Sequence, residues 1–273
     1  MQLAKASDAS PSLTEERFSE EGITSARVLR FPDGDVVVTG CHFPRWGWRK
    51  GPKNTGSRPG AATPEELRKK AADRAKREIR HLVKFHSLGY LWSLTYRGPM
   101  TDRDRLLDDT DKYHRIVRRT YPDFKAVSVP ELHQGGGVNH GGYHLHEAVN
   151  GFYDVRVLRA AWWEVVGEAQ GNVQVEAPPA RKKHDRHNQW KTGSIGNYLA
   201  KYVTKEVDSG SRLPGQHRYF RTDNLELPYE RNVIMAPGDV AESMLLDWMG
   251  VSFEHIYQWH SEDGQRFYFS SFG

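Results

Sequence analysis

Residues 124–151, FKAVSVPELHQGGGVNHGGYHLHEAVNG, contain two strand-like runs on either side of a glycine-rich centre. Five glycines lie between Glu131 and His144, and no Gly-Lys-Ser/Thr follows them, so the centre is a hairpin loop rather than a phosphate cradle. Two strands joined this closely are antiparallel neighbours. On the second strand His144 and His146 project from one face, and Leu145 from the other. Their Cα atoms are about 7 Å apart, near enough for both imidazoles to meet one ion. A symmetric hairpin sets Glu131 opposite His146 and His133 opposite His144, with Cβ atoms about 5 Å apart. Glu131 is then the third ligand and His133 its rival; a one-residue slip would send Glu131 to the wrong face. Glu147 points away, and Pro130 marks an edge or a bulge. Two histidines and one carboxylate leave coordination positions open, the pattern of a catalytic rather than a structural site. A hydrolase or a non-haem iron oxygenase both satisfy it.

Outward from this hairpin the elements alternate. LWSLTY (91–96) lies within a buried strand, and RDRLLDDTDKYHRIVRRTY (103–121) is a charged amphipathic helix. VRVLRAAWWEVVGEAQ (155–170) is another helix. Thr63, Pro64 and Glu66 form a capped start for a helix reaching His86, with Leu67, Ala71, Ala75, Ile79, Leu82, Val83 and His86 as its apolar stripe. The mixture reads as an α+β fold: a small central antiparallel sheet with helices packed on it.

The chain has 273 residues, enough for one domain with extensions. Residues 1–60 read as an N-terminal extension: an acidic tail, a hairpin turning at Pro32-Asp33-Gly34, and a basic arm. Residues 61–235 form the main domain, and 236–273 a helix and hairpin packing on it. In CHFPRWGWRKGPKNTGSRPG (41–60), five bases and no acid accompany Trp46 and Trp48, which either stack on single-stranded bases or pack on the domain. Cys41 is the only cysteine, which excludes an internal disulfide and a cysteine-based zinc finger and suits a reducing cytoplasm. No run is apolar enough to span a membrane, and no secretory signal pattern opens the chain. The net charge of +4 is spread unevenly, with bases in the first long helix, the arm and the 181–186 loop.

The last element is NYLAKYVTKE (197–206). On a helix, Tyr198, Lys201, Tyr202 and Lys205 fall at i, i+3, i+4 and i+7 on one face. Ile195, Leu199, Val203 and Val207 form a separate stripe that docks on the sheet. Packing alone leaves two phenols on a cationic face without a role.

HLH followed by YLAKYVTK resembles the HUH endonucleases, specifically the two-tyrosine rolling-circle replication initiators. The Tyr-x-x-Lys-Tyr-x-x-Lys string is similar to the gene A replication proteins of small single-stranded DNA phages and to related plasmid initiators. LWSLTY is similar to the first family motif, and HRYFRTDNLELP (217–228) to the basic strand after the tyrosine helix. The likeness covers roughly residues 63–228, and the glycine-rich gap before His144 is longer than the family spacing. It implies a nicking and rejoining endonuclease acting on single-stranded DNA at a replication origin. Tyr198 and Tyr202 would be nucleophiles, Lys201 and Lys205 their electrostatic partners, and Glu131, His144 and His146 ligands of Mg²⁺ or Mn²⁺. A 5′-phosphotyrosyl intermediate, a host helicase and polymerase, and a bacterial cytoplasm follow from the same likeness. A transposase or relaxase would share the chemistry. The nucleophile of relaxases, however, precedes the histidine motif, and two-tyrosine transposases carry cysteine-rich modules. A non-catalytic nucleic-acid-binding protein and a cupin-like or oxygenase metalloenzyme are the competing classes.

Overall fold

The computed structural model describes residues 22–43, 63–133, 141–176, 192–209, 217–236, 238–250, 256–262 and 264–271. The acidic tail, the arm carrying Trp46 and Trp48, and the 181–186 loop lie outside these residues. By internal contacts the chain forms two compact units, 1–61 with 227–273, and 62–226. Both are α+β, each built on a five-stranded antiparallel sheet, with five helices in all among the described residues.

The first unit joins segments that chain order had separated into an N-terminal extension and a C-terminal cap. The joining force is backbone pairing. Strand β1 (Ile23–Arg30) pairs with β2 (Val36–Phe43), and its other edge takes β8 (Glu230–Ile234). The free edge of β2 takes β10 (Arg266–Ser270), which carries β9 (Tyr257–His260) outside it. The β1–β2 turn falls at Pro32-Asp33-Gly34, where Gly34 adopts φ +92° and Phe31 N–H donates to Asp35 C=O at 2.7 Å. Helix α5 (Gly238–Met249) buries Ala241, Leu245 and Leu246 with Val28, Val38, Phe267 and Phe269.

In the second unit the sheet order is β6 (Gly171–Glu176), β3 (Tyr90–Tyr96), β5 (Tyr143–Val149), β4 (Ala126–Leu132) and β7 (Phe220–Arg221). The histidine strand is therefore central. Helices α2 (Arg103–Thr120) and α3 (Val155–Val166) cover one face, packing Tyr113, Val117, Leu158 and Trp162 on Trp92, Leu94, Leu145 and Val149. The other face receives α4 (Thr192–Ser209), whose Ile195, Leu199 and Val203 are fully buried. The docking stripe read from periodicity is thus present, and the side chain of Val207 lies outside the described residues.

Helix α1 (Pro64–Phe85) starts with the capping box expected at Thr63 and Glu66. It packs against α4 so closely that a Cβ on Gly196 would lie 3.2 Å from Arg80 Cα. Arg80 Nε also donates to Asn197 Oδ1 at 2.7 Å. The expected stripe needs correction at its ends. Leu67 is 56% exposed because burial begins only at the third turn, and His81 is buried with Ala72, Ala75, Ile79, Leu82 and Val83.

The hairpin register also differs from the symmetric one. Glu131 pairs with His144, and Val129 with His146. The loop closes through His133 N–H donating to Gly142 C=O at 2.8 Å and Gly141 N–H to His133 C=O at 2.9 Å, with Gly141 at φ +77°. The pairing is thus displaced by two residues. An even displacement preserves the side-chain face, so Glu131 still joins both histidines. Pro130 sits where β7, which pairs only Val127 and Ser128, no longer covers β4. β6 and β8 were not legible as strands, and the strand expected within 217–228 is only two residues long.

Candidate active site

The site is assembled from the outer face of β4 and β5 and the helix laid across it. Glu131 Oε2 lies 3.1 Å from His144 Nε2 and 2.8 Å from His146 Nε2, and the two Nε2 atoms are 3.2 Å apart. These three are the only set of histidine, cysteine and carboxylate ligands among the described residues spaced to hold a metal ion. His133, the rival ligand, stands outside the set with its ring centroid 5.9 Å from that of His144. Glu147 is on the opposite face, as its position in the strand requires.

A hydrogen-bond chain orients His146. Ser93, on β3 opposite His146, donates from Oγ to Glu176 Oε1 at 2.8 Å. The same Oγ is 3.2 Å from His146 Nδ1 and has an acceptor lone pair left for it. With Nδ1–H donated to Ser93, Nε2 presents its own lone pair to Glu131 Oε2. Two lone pairs at 2.8 Å repel unless a cation lies among them. The separations suit one: ligands 2.1 Å from an ion on adjacent corners of an octahedron are about 3.0 Å apart. Residues and geometry therefore fit a divalent ion held by one carboxylate oxygen and two imidazoles.

Lys205 completes the carboxylate, donating from Nζ to Glu131 Oε1 at 2.5 Å and leaving Oε2 for the ion. Burial alone would raise the Glu131 pKa, but hydrogen bonds from His144 and Lys205 hold it well below the usual carboxylate range. Burial depresses the His146 pKa, against the opposing pull of Glu131. Both effects keep the ligands in their metal-binding protonation states near neutral pH.

Both tyrosines meet this cluster, in different ways. Tyr202 is 6% exposed and stacks on His146, with centroids 4.1 Å apart and planes at 12°. Lys205 Nζ sits 4.8 Å over the Tyr202 ring. Burial, then the hydrogen bond and charge of Tyr198, then Glu131 and Glu176, push the Tyr202 phenol well above its ordinary pKa. Tyr198 is half-buried, edge-on to His146 at 5.6 Å and to Tyr202 at 5.1 Å. Lys201 is exposed and forms no ion pair among the described residues.

Sequence reasoning missed Ser93 and Glu176. The sign of Ser93 was a lone hydroxyl in the apolar run LWSLTY; Glu176 carried none, because its strand was not recognised. It also missed a cluster behind the site. On the α2 face Glu147 is fully buried, its Oε1 receiving His114 Nε2 at 2.5 Å and Ser128 Oγ at 2.7 Å. No helix among the described residues is long and apolar enough to cross a membrane. Compared with known proteins, the chain matches no family model, no curated protein and no solved structure.

Proposed function

We propose that this protein is a nicking and rejoining endonuclease of the two-tyrosine HUH type, acting on single-stranded DNA at a replication origin. One observation carries the reading: both phenols of YLAKYVTK stand against the Glu131/His144/His146 cluster, although more than fifty residues separate them in sequence. A non-catalytic nucleic-acid-binding protein has no need of convergent ligands with an open side. An oxygenase has no need of two tyrosines beside them.

Glu131, His144 and His146 would hold Mg²⁺ or Mn²⁺, the imidazoles favouring manganese. Such an ion supplies charge neutralisation to a scissile phosphate. The remaining chemistry belongs to the chain. Tyr198 Oη loses its proton and forms a bond to phosphorus; the P–O3′ bond breaks and the 3′-oxygen takes up a proton. The 5′ end stays on the enzyme as a phosphotyrosine, and attack by a 3′-hydroxyl reverses the step without ATP. A free phenol has a pKa of about 10, so forming the phenolate at neutral pH costs about 4 kcal/mol. The ammonium groups of Lys201 and Lys205 lower that cost electrostatically. Tyr198 is the first nucleophile, since Tyr202 is held protonated against His146 and becomes available once DNA displaces it.

The test is incubation with a single-stranded origin oligonucleotide and Mn²⁺, followed by denaturing electrophoresis. Wild-type protein yields a covalent adduct and Tyr198→Phe/Tyr202→Phe yields none. Cleavage by the double variant would replace the phenol by an activated water and end the covalent reading.

A further inference from the structure

The first unit carries a surface that the nicking reading does not use. Alternation along its five strands sends Val28, Val38, Phe267 and Phe269 into the core with α5, and their neighbours to the opposite face. On that opposite face Arg27 and Arg231 stand directly across β1 and β8 from one another. Thr39 links Arg27 to Tyr268 on β10, and Tyr268 pairs with Trp259 on β9. Arg266 lies one step along β10 to one side of this row and Tyr257 one step along β9 to the other, with Tyr257 edge-on to Tyr268 at 6.3 Å.

Three features of this row need a partner. Tyr257 and Trp259 are 58% and 46% exposed, a large apolar display for an edge strand. No outward position of the five strands is acidic, and none of the three arginines forms an ion pair among the described residues, Arg27 lying instead over the Tyr229 ring at 5.1 Å. Arg27 and Arg231, moreover, are like charges directly opposed, a pairing that destabilises a sheet unless an anion is bound over it. From Arg231 to Trp259 the row spans four strand spacings, about 19 Å.

We infer that the exposed part of this face, the row from Arg231 through Arg27 to Trp259 with Arg266 and Tyr257 beside it, is a second binding surface for single-stranded DNA; Leu29, Val37 and Ser270 on the same face are buried and take no part. Phosphates are held by Arg27, Arg231 and Arg266, and unpaired bases stack on Tyr257 and Trp259. Stacking on open rings requires bases free of a duplex, and it tolerates any sequence. The surface would thus hold DNA irrespective of the origin that the nicking site selects.

The inference rests on the nicking reading only in its choice of DNA, and one experiment separates the two. Full-length protein is titrated with a 30-nucleotide oligonucleotide by fluorescence anisotropy across a salt series. Replacing Tyr257 and Trp259 together by alanine weakens binding at least about five-fold. The Arg27→Gln/Arg231→Gln/Arg266→Gln variant lowers the magnitude of the log–log salt slope by about 2, at roughly 0.7 per phosphate contact. Arg231→Gln alone raises the Tm, because it relieves the opposed charges; a fall in Tm would mark a structural role and overturn the inference. Wild-type affinity and slope in both multiple variants would overturn it as well, as would their loss of self-association with DNA affinity unchanged. If these losses appear in a protein that never forms an adduct, the surface stands and the nicking reading alone fails.

Discussion

Strands β4 and β5 carry two glutamate–histidine clusters back to back, and their differences separate a site from a scaffold. On the α4 face Glu131 meets His144 and His146, and its second oxygen meets an exposed lysine. On the α2 face Glu147 meets His114 and Ser128, with almost no solvent contact. Composition does not distinguish them, since each pairs a glutamate with imidazole. Convergence does. Around Glu131 two imidazole nitrogens and a carboxylate oxygen lie mutually within 3.2 Å, an arrangement that gathers acceptors. Around Glu147 one imidazole and one hydroxyl meet a single carboxylate oxygen, an arrangement that brings no second imidazole to the group.

The largest effect expected from this contrast is on activity. His146→Ala removes a ligand and the ring on which Tyr202 stacks, and the phosphotyrosyl adduct should fall at least about 10³-fold, roughly 4 kcal/mol of transition-state stabilisation. The Tm should change little. An active His144→Ala/His146→Ala protein would break the comparison, for the α4 face would then be scaffold too.

The opposite face should respond in the opposite manner. Glu147→Ala leaves His114 and Ser128 buried without their carboxylate partner, and a buried polar group left unpaired costs about 1–3 kcal/mol. Denaturant unfolding reads this directly, and the adduct formed per folded molecule should stay near the wild-type level. Equal stability with lost nicking would transfer Glu147 to the site.

His81 on α1 is the contrasting buried histidine. Burial, then the charges of Arg77 and Arg80, lower its pKa to about 4. The folded protein therefore binds fewer protons than the unfolded chain between pH 6.5 and about 4. This contribution to stability is complete above pH 6.5 and is lost as pH falls through that window, by about 3 kcal/mol in all. His81→Leu should flatten this acid limb in urea titrations. An unchanged slope would show that His81 is charged in the fold.

Much of this arrangement was legible because periodicity reports faces. Alternation in YHLHEAV placed His144 and His146 together and Glu147 behind them, and the helical spacing of Ile195, Leu199 and Val203 separated the docking stripe from the tyrosines. The register was not legible to the residue, since a glycine loop closes at whichever backbone pair its geometry permits, here His133 and Gly142. Pairing between distant segments was not legible at all. Nothing in GNVQVE indicates that it will lie beside LWSLTY, and nothing in the C-terminal hairpin indicates that it will extend the N-terminal sheet.

The smallest effect expected is the one that separates positioning from ligation. Ser93 touches no reacting group; it fixes His146 by accepting Nδ1–H and passing its own proton toward Glu176. Ser93→Ala deletes the relay and leaves all three ligands in place. The imidazole then loses the partner that selects its tautomer, and changes of this kind typically weaken metal binding 10–100-fold. Mn²⁺ titration followed by electron paramagnetic resonance should show that loss, with nicking restored at saturating Mn²⁺. Ser93→Thr, which keeps the hydroxyl, should recover most of the affinity. Failure to restore nicking at any Mn²⁺ concentration would give Ser93 a part in the chemistry itself. An affinity unchanged in Ser93→Ala would mean that Glu131 and His144 alone fix the ring, and the relay to Glu176 would then be packing, like the cluster on the far side of the sheet.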